Sequence, residues 1–137
     1  MDEIQAGFLT IKLKSLDEIT FHKRALAKIY LDNLDKKFIK PVVSDDYYDV
    51  FHIFNVRYKF RDKLRFYLLE NGIKTEIHYP VPPHNQKCMN SIINRHYPIS
   101  QEIHDTTLSL PIAFFHTKEE IYKVIELMNH YINHNEF

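Results

Sequence analysis

At 137 residues the chain has room for one domain with a real core and is too short for separate cofactor and substrate lobes. Lysine plus arginine and aspartate plus glutamate both number 18, with the signs interspersed, so no strong field draws in phosphate backbones or anionic lipid, and neither nucleic acid nor a membrane surface is an expected partner. A hydrophobic content of 45% rich in Tyr and Phe excludes a disordered tail, and no stretch is long and apolar enough to cross a bilayer.

The single cysteine, Cys88, excludes an intramolecular disulfide. No basic segment followed by an apolar run opens the chain, so the expected location is cytoplasmic. Glycine occurs only as Gly7 and Gly72, which offers no glycine-rich turn of the kind that cradles cofactor phosphates.

From Asp2 to about Leu34 the apolar residues Ile4, Phe8, Ile11, Ile19, Leu26, Ile29, Tyr30 and Leu34 keep one helical phase. This predicts a long amphipathic helix. Asp2 with Gln5 can cap its start, and Ser15-x-x-Glu18 is a second capping signature that allows two segments kinked near Ser15. Pro41 closes that region. The run Tyr48, Val50, Phe51, Ile53, Phe54, Val56 and Tyr58 then reads as a strand buried on both faces.

A helix is predicted from about Arg61, with Leu64, Tyr67 and Leu68 inward, ending at Asn71-Gly72 with Ile73 as the apolar contact of the cap. Ile73 to Tyr79 alternates as a strand, with Lys74, Glu76 and His78 on one side, and runs into Pro80-Val81-Pro82-Pro83. Asn85 and Ser100 read as N-caps of two short helices separated by Tyr97-Pro98, and Thr107 to Pro111 as a short third strand. Thr117-x-x-Glu120 is a capping box ahead of the stripe Ile121, Val124, Ile125, Met128 and Ile132. The sum is an α+β domain, residues 41–137, entered by a helical segment over residues 1–40.

Four strings in order, Met1-Asp2-Glu3-Ile4-Gln5-Ala6-Gly7-Phe8-Leu9, Lys12-Leu13-Lys14-Ser15-Leu16-Asp17-Glu18, Thr75-Glu76-Ile77-His78-Tyr79-Pro80 and Leu108-Ser109-Leu110-Pro111-Ile112, resemble the DegT/DnrJ/EryC1/StrS aminotransferases. The resemblance covers nearly the whole chain. It implies the small carboxy-terminal domain of a fold-type I pyridoxal-phosphate (PLP) aminotransferase plus the helix that enters it. Pro82-Pro83-His84-Asn85-Gln86 further resembles the branch that makes 3-amino-3,6-dideoxyhexoses from dTDP-3-keto-6-deoxyhexoses.

In such enzymes a lysine of the large domain forms the Schiff base with PLP, and an amino group moves from glutamate to a keto-sugar nucleotide. The resemblance implies that this machinery, and an asparagine and arginine expected just upstream of Met-Asp-Glu, are not among these residues. The expectation is therefore a carboxy-terminal part that contributes to a homodimer, binds no PLP alone and does not transaminate alone. Gly7 stands where the family usually has alanine, and no lysine is assigned a catalytic role.

His78, Tyr79 and His84 are the residues the resemblance turns toward the sugar nucleotide. Without it, Tyr79 reads as core, His78 as solvated beside Glu76 and Lys74, and His84 as surface. His78, His84 and Cys88 lack a fourth ligand with zinc-site spacing, so no metal is expected, and Cys88 reads as a buried or partly buried apolar residue of a short helix. Tyr47-Tyr48 and Phe114-Phe115 resemble base-stacking platforms less than core or domain contacts, since Asp45, Asp46 and Asp49 crowd the first pair. The rival functions are a non-catalytic dimerisation or protein-interaction module using the leading helix, and a small-molecule regulatory domain.

Overall fold

The computed structural model describes residues 2–89, 91–92 and 95–135. Two helices open the chain: α1 (Glu3–Leu13) and α2 (Leu16–Asn33). At the start of α1 the Asp2 N–H donates to Gln5 Oε1 at 3.4 Å. Its last turn tightens to i→i−3 bonds, Lys14 N–H to Ile11 O and Ser15 N–H to Lys12 O, and this is where the helix breaks. The break falls at the predicted position, but Ser15 makes no side-chain cap bond.

The remaining elements are β1 (Phe54–Arg57), α3 (Arg61–Glu70), 3₁₀ turns at Pro83–Asn85 and Lys87–Met89, α4 (Pro98–Thr106), β2 (Thr107–Leu110) and α5 (Lys118–Asn135). The result is a helix-rich α+β fold around a two-stranded antiparallel sheet, with Phe54 opposite Leu110, Asn55 opposite Ser109, Val56 opposite Leu108 and Arg57 opposite Thr107. Single bridges flank the sheet, Ile39 with Arg57 outside β1 and Glu76 with Ser109 outside β2.

Alternation along both strands sends Phe54, Val56, Leu108 and Leu110 to one face. There they meet Leu26, Ala27 and Tyr30 of α2, Leu64 and Leu68 of α3, and Ile121, Val124, Met128 and Ile132 of α5 in one core. Aromatic rings organise it. Tyr30 stacks on Phe54 at 4.9 Å, and Tyr58 meets Phe38 at 5.3 Å and Tyr131 at 6.3 Å. The Tyr30 hydroxyl donates to Pro111 O at 2.9 Å, and burial raises the pKa of that phenol. Asn129 clasps the end of α2 to α5, accepting from Asp35 N–H and donating to Asn33 O.

Two caps form as their sequences predict. Gly72 has φ +79, its N–H reaches Leu69 O at 3.0 Å and Ile73 N–H reaches Leu68 O at 2.8 Å, the paired bonds of a Schellman end. Thr117 N–H donates to Glu120 Oε2 while Glu120 N–H donates to Thr117 Oγ1, which closes the capping box of α5.

Several expectations are corrected. The strand expected from Tyr48 is four residues long, because β2 has only four to pair with it, and Tyr47, Tyr48, Val50 and Ile53 are exposed. Ile73 to Tyr79 keeps some alternation, with Thr75 buried, but is joined to the sheet by the Glu76 bridge alone. Pro98 takes the first position of α4, where its missing N–H costs nothing, so Ser100 lies inside that helix. Asn85 ends a 3₁₀ turn instead of capping an α-helix. Phe114 and Phe115 are exposed as well, so neither aromatic pair is core.

Gly72→Ala is expected to destabilise by about 1 kcal/mol, because alanine is strained at that positive φ. Gly7→Ala, at a helical position with open space around it, is expected to stabilise by about 0.5–1 kcal/mol. Urea unfolding of the two variants checks the opposite signs.

Candidate functional site

The sheet face turned away from the core is polar, carrying Asn55 and Arg57 from β1 and Thr107 and Ser109 from β2. Thr107 and Ser109 are nonetheless buried, so their hydroxyls need protein partners. Thr107 Oγ1 donates to Ile103 O of α4 at 2.6 Å, and Ser109 Oγ donates to Asn55 Oδ1 at 2.5 Å. Arg57 reaches over to Thr106 Oγ1 and pairs with Glu102, holding α4 against this face.

The segment following the Glu76 bridge carries His78 and Tyr79, two of the residues expected to face the sugar nucleotide. Glu76 exchanges both backbone bonds with Ser109, at 3.2 and 2.8 Å, and two residues on the His78 ring points back to the same serine, its Nδ1 2.9 Å from Ser109 Oγ. His78 is exposed, yet its position is set by that bond and not by solvent alone. The His78–Tyr79 peptide is cis, and the two rings meet edge to face at 5.9 Å. Tyr79 is 74% exposed, so it lies at the surface and not in the core.

His84 lies apart in the Pro83–Asn85 turn, half-buried with its ring 5.2 Å from that of Tyr97. Asn85 Nδ2 donates to Gln101 Oε1 at 2.6 Å and ties the turn to α4. Cys88 is exposed in the next 3₁₀ turn, a correction to its expected burial: that turn is too short to bury a face. No group of three or more His, Cys, Asp or Glu among the described residues could hold a metal ion. No helix of the described residues is long and apolar enough to cross a membrane.

Beside this row a groove of about 630 Å³ opens over the outer sheet face, lined by Asn55, Arg57, Thr107 and Ile103 and by the loop from Asp49 to Ile53. Two neighbouring residues of α2 hold that loop. Lys23 Nζ donates to His52 O at 2.8 Å, while Arg24 donates to Asp49 O and lies 4.1 Å over the Tyr48 ring. Within the loop Phe51 has φ +47, an uncommon conformation for a bulky residue, and its ring sits 6.0 Å from Phe54.

Asn55 and Ser109 are the site residues that sequence reasoning passed over. The signal was a polar residue inside an apolar strand run, Phe54-Asn55-Val56 and Leu108-Ser109-Leu110, where burial demands a hydrogen-bond partner.

Burial lowers the pKa of Lys23, a change that favours a nucleophilic amine, but its Nζ is engaged by the His52 carbonyl. Both glycines face open space and form no phosphate cradle.

The chain matches the DegT/DnrJ/EryC1/StrS aminotransferase family over residues 1–129. It is 42% identical over 132 residues to the dTDP-3-amino-3,6-dideoxy-alpha-D-galactopyranose transaminase of Aneurinibacillus thermoaerophilus, covering 96% of this chain and 36% of that protein. The structure of S. venezuelae DesV in complex with a ketimine intermediate is similar over 99% of this chain and 38% of that one, with TM-score 0.93 and 32% identity. NtdA of Bacillus subtilis, solved with bound cofactor PMP, is similar over 84% of this chain and 28% of that one, with TM-score 0.75 and 25% identity. The chain thus spans about a third of the length of the relatives it matches.

Thr75, at the head of the segment that carries His78, buries its Oγ1 without a hydrogen-bond partner among the described residues. Thr75→Val is expected to raise stability by about 1 kcal/mol, since it removes the unpaired hydroxyl at nearly constant volume. A higher urea midpoint at unchanged slope checks it.

Proposed function

This chain belongs to the DegT/DnrJ/EryC1/StrS aminotransferase family, and from that premise we propose that it is the carboxy-terminal part of a PLP-dependent sugar-nucleotide aminotransferase. The enzyme would move an amino group from glutamate to a dTDP-keto-deoxyhexose in the cytoplasm, in deoxysugar or surface-polysaccharide synthesis. Bound PLP supplies the electron sink for amino transfer, and residues outside these 137 supply its lysine. The role of this part is to close over the sugar nucleotide and to contribute to a homodimer.

The observation that carries the reading is the geometry of His78 and Tyr79. They are adjacent and exposed; His78 is set at a fixed place by the Glu76–Ser109 backbone pair and the Ser109 hydroxyl, and the Tyr79 ring meets it edge to face. A substrate contact has to be both reachable and fixed; His78 satisfies both conditions, and Tyr79 beside it is reachable. His84, held against Tyr97 in the next turn, is proposed as a third contact farther along the same segment.

The 137-residue chain alone is proposed to bind no PLP and to be inactive, a reading supported by the Lys23 amine being engaged by the His52 carbonyl and by the absence of a glycine-rich phosphate cradle among the described residues. Purified chain mixed with PLP is expected to show no PLP absorbance after desalting and no glutamate-dependent amination of a dTDP-keto-sugar. Stoichiometric retained PLP would overturn that. In an enzyme that contains these residues together with the PLP lysine, Tyr79→Ala is expected to raise KM for the sugar nucleotide about tenfold. An unchanged KM removes Tyr79 from the site; a tenfold change corresponds to about 1.4 kcal/mol, the size of a lost hydrogen bond.

One observation is equally compatible with a second reading, a non-catalytic interaction module. α1 has no buried residue, and Ile4, Phe8, Ile11 and Leu13 are each at least 65% exposed. Such a surface calls for a partner in either case. In the aminotransferase reading the partner is the large domain, and the chain alone aggregates until that domain is supplied in trans. In the module reading the chain alone is soluble and self-sufficient.

A further inference from the structure

Ser109 is 5% exposed, and its hydroxyl has one proton to give. That proton goes to Asn55 Oδ1, an oxygen that can only accept. The second partner of the same hydroxyl, His78 Nδ1 at 2.9 Å, must therefore bring the proton of its own bond.

The backbone fixes this row. Asn55 lies opposite Ser109 in the sheet, Glu76 pairs with Ser109 on the other edge, and His78 follows Glu76 by two residues, with its ring brought back to the Ser109 hydroxyl.

We infer that Asn55 and Ser109 are positioning residues for His78. They hold its neutral ring with the proton on Nδ1 and leave Nε2 as a bare acceptor at an exposed place. The inference rests on the reading of His78 as a substrate contact and adds the sign of that contact. Neutral His78 takes a hydrogen bond from a hydroxyl or N–H of the sugar nucleotide. It makes none to a phosphate oxygen, which also only accepts, until the ring gains a second proton.

The test is a long-range ¹⁵N–¹H correlation spectrum of histidine-labelled protein at a pH where the imidazoles are neutral. His78→Gln identifies the His78 signals among the nine histidines. The expected pattern is Nδ1 at the N–H frequency and Nε2 at the bare-nitrogen frequency. Asn55→Asp, which keeps the acceptor for Ser109, is expected to preserve the pattern, and Ser109→Ala to shift the proton toward Nε2. A wild-type ring protonated on Nε2, or a pattern that Ser109→Ala leaves unmoved, overturns the positioning role. Addition of a dTDP-hexose to an enzyme that contains these residues together with the PLP lysine, labelled and assigned in the same way, separates the two claims. Movement of the His78 nitrogens supports the contact, and stationary signals with the expected tautomer overturn the substrate reading while leaving the positioning role intact.

Discussion

All four residues of β2 are buried, and every polar group on that strand must be satisfied by protein. This requirement organises what surrounds it. One backbone edge takes β1 and the other takes Glu76. The Thr107 hydroxyl requires a carbonyl, which Ile103 of α4 provides, and the Ser109 hydroxyl requires an acceptor, which Asn55 provides. The placement of α4 and of the segment bearing His78 thus follows from satisfying one short strand. The exposed part of the site is built outward from a fully buried one.

The two leading helices divide along the same logic. α2 sends Leu26, Ala27 and Tyr30 into the core, and the Tyr30 ring and hydroxyl tie it to β1 and to the end of β2. α1 is an 11-residue helix with no buried side chain. A helix of that length is marginal in water on its own, and each fully buried side chain of the Ile, Leu or Phe kind contributes about 1.5–3 kcal/mol. Under the proposed function the large domain supplies that burial, so the first helix gains its stability from contacts outside these residues and the second from contacts within them.

Features governed by local bonding were legible in the sequence. The Asn71-Gly72 end of α3 and the Thr117-x-x-Glu120 start of α5 each depend on groups within a few residues, and both form as expected. The break near Ser15 was legible for the same reason. Extended segments were not, because a strand is as long as its partner allows. Val50 and Ile53 have strand-forming side chains, but β2 offers four pairing positions and stops β1 at Phe54. Within the site, the His78-Tyr79 string was legible as a motif. The Asn55–Ser109 bond, between residues 54 apart, became visible only when the two strands were set in register.

The bonds from Lys23 and Arg24 to the groove loop both end on main-chain carbonyls, those of His52 and Asp49. Such anchors are indifferent to which side chains the loop carries. Apart from Phe51, whose ring packs against the core beside Phe54, residues 49 to 53 can change while the path of the loop stays the same, so most of this wall of the groove can be re-lettered without being rebuilt. A scaffold arranged in this way can change what it accommodates through a few substitutions in one loop, with the core and the buried strand left untouched.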